Sequence, residues 1–242
     1  MTVITIEGPA GSRKKTIGSI VAGKLNLDYV DRLVLSDVAK NIGATVEAIT
    51  EGEKSVLDLG ERLTRALLRI LDKSTITSAS GDPYFGPSAA AFLPDLYDYQ
   101  TDSVITDPAY LNDDTYIDAL TDVLTEYVKR GNVVIMGRGS NWILRDKKEV
   151  FRVGVIANMD RRINFVVKEK GINVEEAKEQ LVVADKARIG RYKRMFDIDI
   201  CDDPVNYDLV VNSGSMNIDT CVNVVINAVK DFTAVRSEQE IG

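Results

Sequence analysis

Along this chain, short apolar runs alternate with stretches in which apolar residues recur every three or four positions. That alternation predicts strands and helices in turn. Val3–Ile6 reads as a strand, and Thr16–Leu25 as the helix that follows a glycine-rich turn. Asp28–Val30 is a short second strand, followed by a helix over Leu33–Asn41. Ser55–Leu71 reads as an amphipathic helix, with Val56, Leu59, Leu63 and Leu67 on one face. Between residues 75 and 112 the period dissolves into a loop-rich insertion that holds four of the six prolines. Regularity returns with a helix over Asp113–Arg130 and a strand over Asn132–Met136. Gly137–Asn141 opens a short helix, Phe151–Ile156 is a strand, and helices follow over Asp160–Lys170 and Val174–Arg194. Tyr207–Val211 is the last strand and Asp219–Phe232 the closing helix. Five strands separated by helices predict an α/β fold, a parallel sheet with helices on both faces.

Composition narrows the function classes. The 242 residues suffice for one domain over 1–242, with the insertion at 75–112 and a helical lid at about 174–204 as parts of it. The chain holds no histidine, which removes Ser-His-Asp triads and histidine metal sites. A net charge of −7 argues against a nucleic-acid partner, because affinity for a phosphate backbone comes from excess Lys and Arg. Arginines nevertheless cluster at Arg161-Arg162 and over Arg188–Arg194, which suits a small anionic ligand. No apolar run reaches membrane-spanning length, and Met1 leads straight into the first strand without a signal segment. Cys201 and Cys221 read as reduced, and the expected location is cytoplasmic. The insertion's aromatics, Tyr84, Phe85, Phe92, Tyr97, Tyr99 and Tyr110, suggest packing on a bound base or on a second subunit, which would make a homodimer.

The candidate chemistry starts at Gly8-Pro-Ala-Gly-Ser-Arg-Lys-Lys-Thr16, directly behind the first strand. A strand that ends in a glycine turn and enters a helix aims backbone N–H groups at an anion, and a lysine adds charge. Against the pattern G-x-x-x-x-G-K-[ST], Gly8 and Lys14 fit. Arg13 stands where the second glycine belongs, and Lys15 where a hydroxyl would hold magnesium. Arg13 in a left-handed conformation would cost roughly 1–2 kcal/mol, which a fold tolerates. Thr16 offers a hydroxyl one residue later, and a frame slipped by one would make it the metal ligand. The plain alternative is a Gly/Pro turn with solvated basic side chains.

Arg138, flanked by Gly137 and Gly139 after the strand ending at Met136, falls where open α/β sheets bind ligands and could fork onto a monophosphate. Asp185, Arg188, Arg191 and Arg194 recur on one helix, as in a clamp over a transferring phosphoryl group. Asp31, after the second strand, points to the same crevice. For each of these a solvated turn or helix face is the bland reading.

Together these residues resemble the cytidylate kinase-like family of P-loop proteins. The likeness lies in Gly8–Ser12 with Lys14, Tyr29–Arg32, Tyr110–Asp113, Arg130–Leu144, Asp185–Arg188 with Tyr192 and Arg194, Asp203-Pro204, and Tyr207–Asn212. The resemblance implies a P-loop NTPase-type three-layer fold, and phosphoryl transfer from ATP, with Mg2+, to CMP, dCMP or a related small acceptor. Gly8, Gly11, Ser12, Arg13, Lys14, Lys15 and Thr16 would then face the donor, with Lys14, Arg188, Arg191 and Arg194 as catalytic charges. Asp31, Arg138, Asp185 and Arg188 would face the acceptor. The chain departs from cytidylate kinases proper at Gly139, where they carry aspartate, and at Leu181, where they carry arginine. A nucleotide-binding pseudokinase that senses or scaffolds is the alternative that Lys15 and Gly139 motivate.

Overall fold

The computed structural model describes residues 1–31, 34 and 113–239. The expected helices at 33–41 and 55–71 and the insertion at 75–112 lie outside them. The chain divides into two compact units. One comprises Met1–Asp31, Leu124–Asp185 and Ile200–Gly242, the other Arg32–Val123 and Lys186–Asp199.

Five strands form one parallel sheet: β1 (Val3–Glu7), β2 (Asp28–Val30), β3 (Val133–Met136), β4 (Val150–Ile156) and β5 (Leu209–Asn212). Their spatial order is β2-β3-β1-β4-β5. Val3 to Ile6 of β1 align with Val133 to Met136 on one side and Val150 to Val153 on the other. All residues of β1 and β3 are buried, so both faces of the sheet's centre are covered. Near-continuous apolar strands are what a doubly covered parallel sheet demands.

Helices fill the connections: α1 (Lys14–Leu25), α2 (Asp113–Arg130), the single-turn α3 (Ser140–Ile143), α4 (Met159–Lys170), α5 (Val174–Phe196) and α6 (Ile218–Gln239). On one face, Ile17 and Val21 of α1 and Val222, Val225 and Val229 of α6 join Ile4, Ile6, Val134, Val153, Val155 and Val211 in a single core. The Phe151 and Phe232 rings close its lower end, with centroids 5.0 Å apart. Asn158 caps α4 by accepting the Arg161 N–H, and Gly171 in left-handed geometry ends it.

The last strand begins two residues later than the pattern predicts. Pro204–Asn206 form a turn of 3-10 helix capped by the Asp203 carboxylate, and the Tyr207 hydroxyl donates to the Cys201 carbonyl. Asp208 then receives the backbone N–H, Nε and a terminal nitrogen of Arg152 at 2.8–3.0 Å, which sets where β5 enters the sheet.

Candidate functional site

Because the strands are parallel, their C-terminal ends share one edge of the sheet. That edge carries Gly8 after β1, Asp31 after β2, Arg138 after β3 and Ser213 after β5. In the order β2-β3-β1-β4-β5 the chain crosses from β1 to β2 on one side and later from β3 to β4 on the other, so the crossovers diverge beside β1. Such a divergence opens the crevice in which doubly wound sheets bind ligands.

The turn from Gly8 to Arg13 has the geometry of a phosphate cradle. Lys14 is the first residue of α1, and its ammonium folds back onto the Gly8 carbonyl at 2.7 Å. The helix ladder begins with the Ile17 N–H donating to the Arg13 carbonyl at 3.0 Å. This is the frame in which Lys14 is the loop lysine. Gly11 has φ +71°, and a Cβ there would crowd Leu181, Arg162 and Val166 at 3.1–3.3 Å. The turn is pinned from behind: the Ser213 hydroxyl donates to the Ser12 carbonyl at 2.7 Å. Inside it the Ser12 hydroxyl is buried and makes no hydrogen bond. A buried donor left unspent is what a ligand oxygen would satisfy.

Arg13 adopts the left-handed conformation that the glycine pattern requires, with φ 62° and ψ 20°. Its guanidinium stacks over the Phe165 ring of α4 at 5.3 Å, a cation–π contact that offsets part of the backbone cost. Lys15, where a hydroxyl would meet a metal, places its ammonium 3.4 Å from the Asp31 carboxylate. Thr16 lies one residue further on, turned by about 100° around the helix axis. Its carbonyl accepts from the Ser19 hydroxyl. An ammonium is three donors and no acceptor, so position 15 does not fit a divalent cation.

At the end of β3, Gly137, Arg138 and Gly139 all have positive φ, at 71°, 66° and 73°. Three consecutive left-handed residues reverse the chain and carry Arg138, half-buried, at the strand's C-terminal end. Two bonds to β1 hold the reversal. The Gly137 N–H donates to the Ile6 carbonyl at 3.0 Å, and the Gly139 N–H to the Glu7 carboxylate at 2.8 Å. Gly139 is thus in left-handed geometry with its amide engaged.

Two residues carry this architecture outside the candidate set: one has no signal in the sequence, and the other stands there only as a member of the Arg161-Arg162 cluster. Glu7, the buried last residue of β1, is one. Arg162 is the other. Its buried guanidinium donates to the Ala10 carbonyl of the phosphate turn at 3.1 Å and to both Asp185 oxygens at 2.9 and 2.7 Å. Asp185, expected to face an acceptor, therefore has both oxygens on Arg162. Leu181 is fully buried against Gly11.

The 186–199 segment belongs to the other compact unit. There Arg188 is buried and lies over the Tyr192 ring at 5.3 Å. Arg191 and Arg194 follow on the same helix, half-buried. Lys193 bridges Asp197 at 2.7 Å and Asp199 at 3.1 Å. The hydrogen bond to Asp197 raises the ammonium above its ordinary range and lowers that carboxyl.

The Cytidylate kinase-like family model matches residues 3–215. A cytidylate kinase from Archaeoglobus fulgidus is 24% identical over 230 residues, 94% of each chain. One from Ignicoccus hospitalis is 24% identical over 226 residues, 93% of this chain and 97% of the other. Among solved structures, an uncharacterized protein from Eubacterium ventriosum shares the fold with a TM-score of 0.59 at 14% identity, over 95% of this chain and 99% of that one. With the match running over nearly the whole chain, the chain belongs to the cytidylate kinase-like family.

Proposed function

We propose that this protein transfers the γ-phosphoryl group of ATP to a nucleoside monophosphate, with CMP or dCMP or a related small acceptor as substrate. The observation that carries this reading is the turn from Gly8 to Lys14, with its lysine folded onto the Gly8 carbonyl and the buried Ser12 hydroxyl unspent inside it. An acceptor phosphate oxygen attacks the γ-phosphorus in line, the bond to the β–γ bridging oxygen breaks, and ADP leaves. Lys14 swings from the Gly8 carbonyl to the β- and γ-phosphates. Backbone amides of Gly11, Ser12 and Arg13 line the donor, and Gly8 lets the chain approach it. Arg138 forks onto the acceptor's phosphate, and Asp31 lies beside it. Arg188, Arg191 and Arg194 are the catalytic charges that the family likeness implies for the transferring group. Asp185 contributes by holding Arg162 against the phosphate turn. The reading requires no metal ligand at position 15.

Gly139 and Leu181 leave no side-chain carboxylate or guanidinium where cytidylate kinases proper have them, so discrimination among bases should be weak. A cytoplasmic location fits an enzyme that draws on ATP and free monophosphates, and no helix among the described residues is long and apolar enough to cross a membrane. The test is a coupled ADP-release assay with ATP and the common ribo- and deoxyribonucleoside monophosphates. Turnover of CMP or dCMP, with neighbouring pyrimidine monophosphates within about tenfold, is expected; a tenfold ratio is about 1.4 kcal/mol of discrimination. ADP release at the no-acceptor background with every monophosphate overturns the reading. The ion pair between Lys15 and Asp31 favours a second one, a nucleotide binder without turnover. Gain of turnover in Lys15→Ser would identify it.

A further inference from the structure

Lys15 and Asp31 come from different parts of the fold. One is the second residue of α1, the other follows β2 at the far edge of the sheet. Their pairing at 3.4 Å is therefore set by the tertiary fold and not by helix spacing. Both side chains are mostly buried, with 26% and 21% of their surface exposed. The pair sits on the sheet edge that carries the phosphate turn, one residue past the loop lysine. Among the described residues, no cluster of three or more Asp, Glu, Cys or His side chains could hold a metal ion.

We infer that the Lys15 ammonium, steered by Asp31, takes the place of the divalent cation in this loop, so that the protein binds its polyphosphate ligand without metal. The inference rests on the nucleotide-binding reading above and specifies how the ligand's charge is met. A polyphosphate brings several negative charges into a site of reduced dielectric, and something must compensate them. Where a loop has a hydroxyl after its lysine, a bound metal does so. Here the same helical position carries a cation covalently, and that cation would repel a second one. The ammonium can also donate up to three hydrogen bonds to phosphate oxygens. Asp31 acts as its rest: it neutralises Lys15 in the free protein and holds it at the mouth of the turn. A surface ion pair without that role would not alter how binding depends on metal.

The experiment is calorimetric titration with ATP, at constant ionic strength, in excess EDTA and in excess magnesium. It uses the intact chain, Lys15→Ser and Asp31→Asn, each checked for native melting by circular dichroism. The unmodified protein should bind ATP in EDTA within about threefold of its affinity in magnesium. Lys15→Ser should weaken binding in EDTA about tenfold or more, as loss of one charge in contact with phosphate implies, and should regain affinity when magnesium is added. Asp31→Asn, which leaves the ammonium uncompensated, should tighten binding in EDTA. Binding by the unmodified protein only with magnesium, or unchanged binding in EDTA by Lys15→Ser, overturns the inference and leaves the nucleotide reading standing. Weaker EDTA binding by Asp31→Asn overturns the role given to that carboxylate. Absence of ATP binding by the unmodified protein in both buffers removes the nucleotide reading itself, and the inference with it.

Discussion

At the scale of single residues, Glu7 carries a disproportionate share of the site's geometry. A carboxylate buried at the end of an otherwise apolar strand would be costly without a partner. Its partner is the Gly139 N–H, 132 residues away, at 2.8 Å. That bond holds a turn whose central residue, Arg138, is a non-glycine with φ 66°. The strain at Arg138, roughly 1–2 kcal/mol, persists because bonds on both sides of it fix the backbone. Glu7→Ala should therefore cost about 2–3 kcal/mol in urea denaturation, the range for a buried hydrogen bond to a charged group. Glu7→Gln keeps a carbonyl acceptor in the same place and should cost about 1 kcal/mol. If Arg138 orients the acceptor, Glu7→Ala should also raise the acceptor KM more than it lowers kcat. Equal denaturation midpoints for Glu7→Ala and the unmodified chain would show that the turn stands without its carboxylate.

At the scale of elements, Arg162 ties three pieces of backbone into one. Projecting from α4, it binds the Ala10 carbonyl of the phosphate turn and both oxygens of Asp185 on α5. Removing one partner of a buried ion pair strands the other and costs about 3–5 kcal/mol. Asp185 keeps 22% of its side-chain surface exposed, so roughly 2–3 kcal/mol is the expected loss for Arg162→Leu. Lysine cannot fork, so Arg162→Lys should fall between, keeping one of the three bonds. Hydrogen exchange at the Ser12–Lys14 amides is the sharper measurement. These amides should exchange faster in Arg162→Leu than the drop in global stability alone explains. Acceleration only in proportion to that drop would confine Arg162 to the core.

The same elements show what the sequence makes legible. β1, α1, β2, α2 and β3 lie within two residues of their predicted bounds, and all but β2 are followed directly by a glycine or asparagine stop. α6 runs seven residues past the predicted Phe232, through a polar stretch without apolar period. β5 starts late because Arg152 claims Asp208, a contact 56 residues apart that no local pattern encodes. The site divides in the same way. The phosphate turn, Arg138 and the anomaly at Lys15 are visible as residue types at fixed spacing. Glu7 and Arg162 are not, because their meaning lies in partners more than 130 residues away. Asp31 falls between: its place beyond β2 could be read, but its pairing with Lys15 could not.

At the scale of the whole molecule, stability toward alkali depends on the floor of the core. Cys221 is fully buried on α6 among Val211, Val222 and Val225, and both cysteines are free thiols. Burial raises the Cys221 pKa above its ordinary value of 9.0, because the thiolate would lose its hydration, and the nearby Arg13 cation offsets only part of this. The native state therefore holds the proton to higher pH than the unfolded chain does. Native stability has its full contribution from this group below pH 9.0 and loses it as pH rises toward the folded pKa. Over that window the loss approaches one proton's worth, about 1.4 kcal/mol per pH unit. Urea denaturation from pH 7 to 10.5 should show the intact protein losing stability faster than Cys221→Ala above pH 9.0. Below it the alanine variant should be the weaker by about 1 kcal/mol, for the small cavity it leaves. The difference between the two curves isolates this thiol from the lysines and tyrosines that titrate in the same range. Parallel curves throughout would mean that the Cys221 thiolate is solvated in the native state, and that the core beneath the phosphate turn admits water.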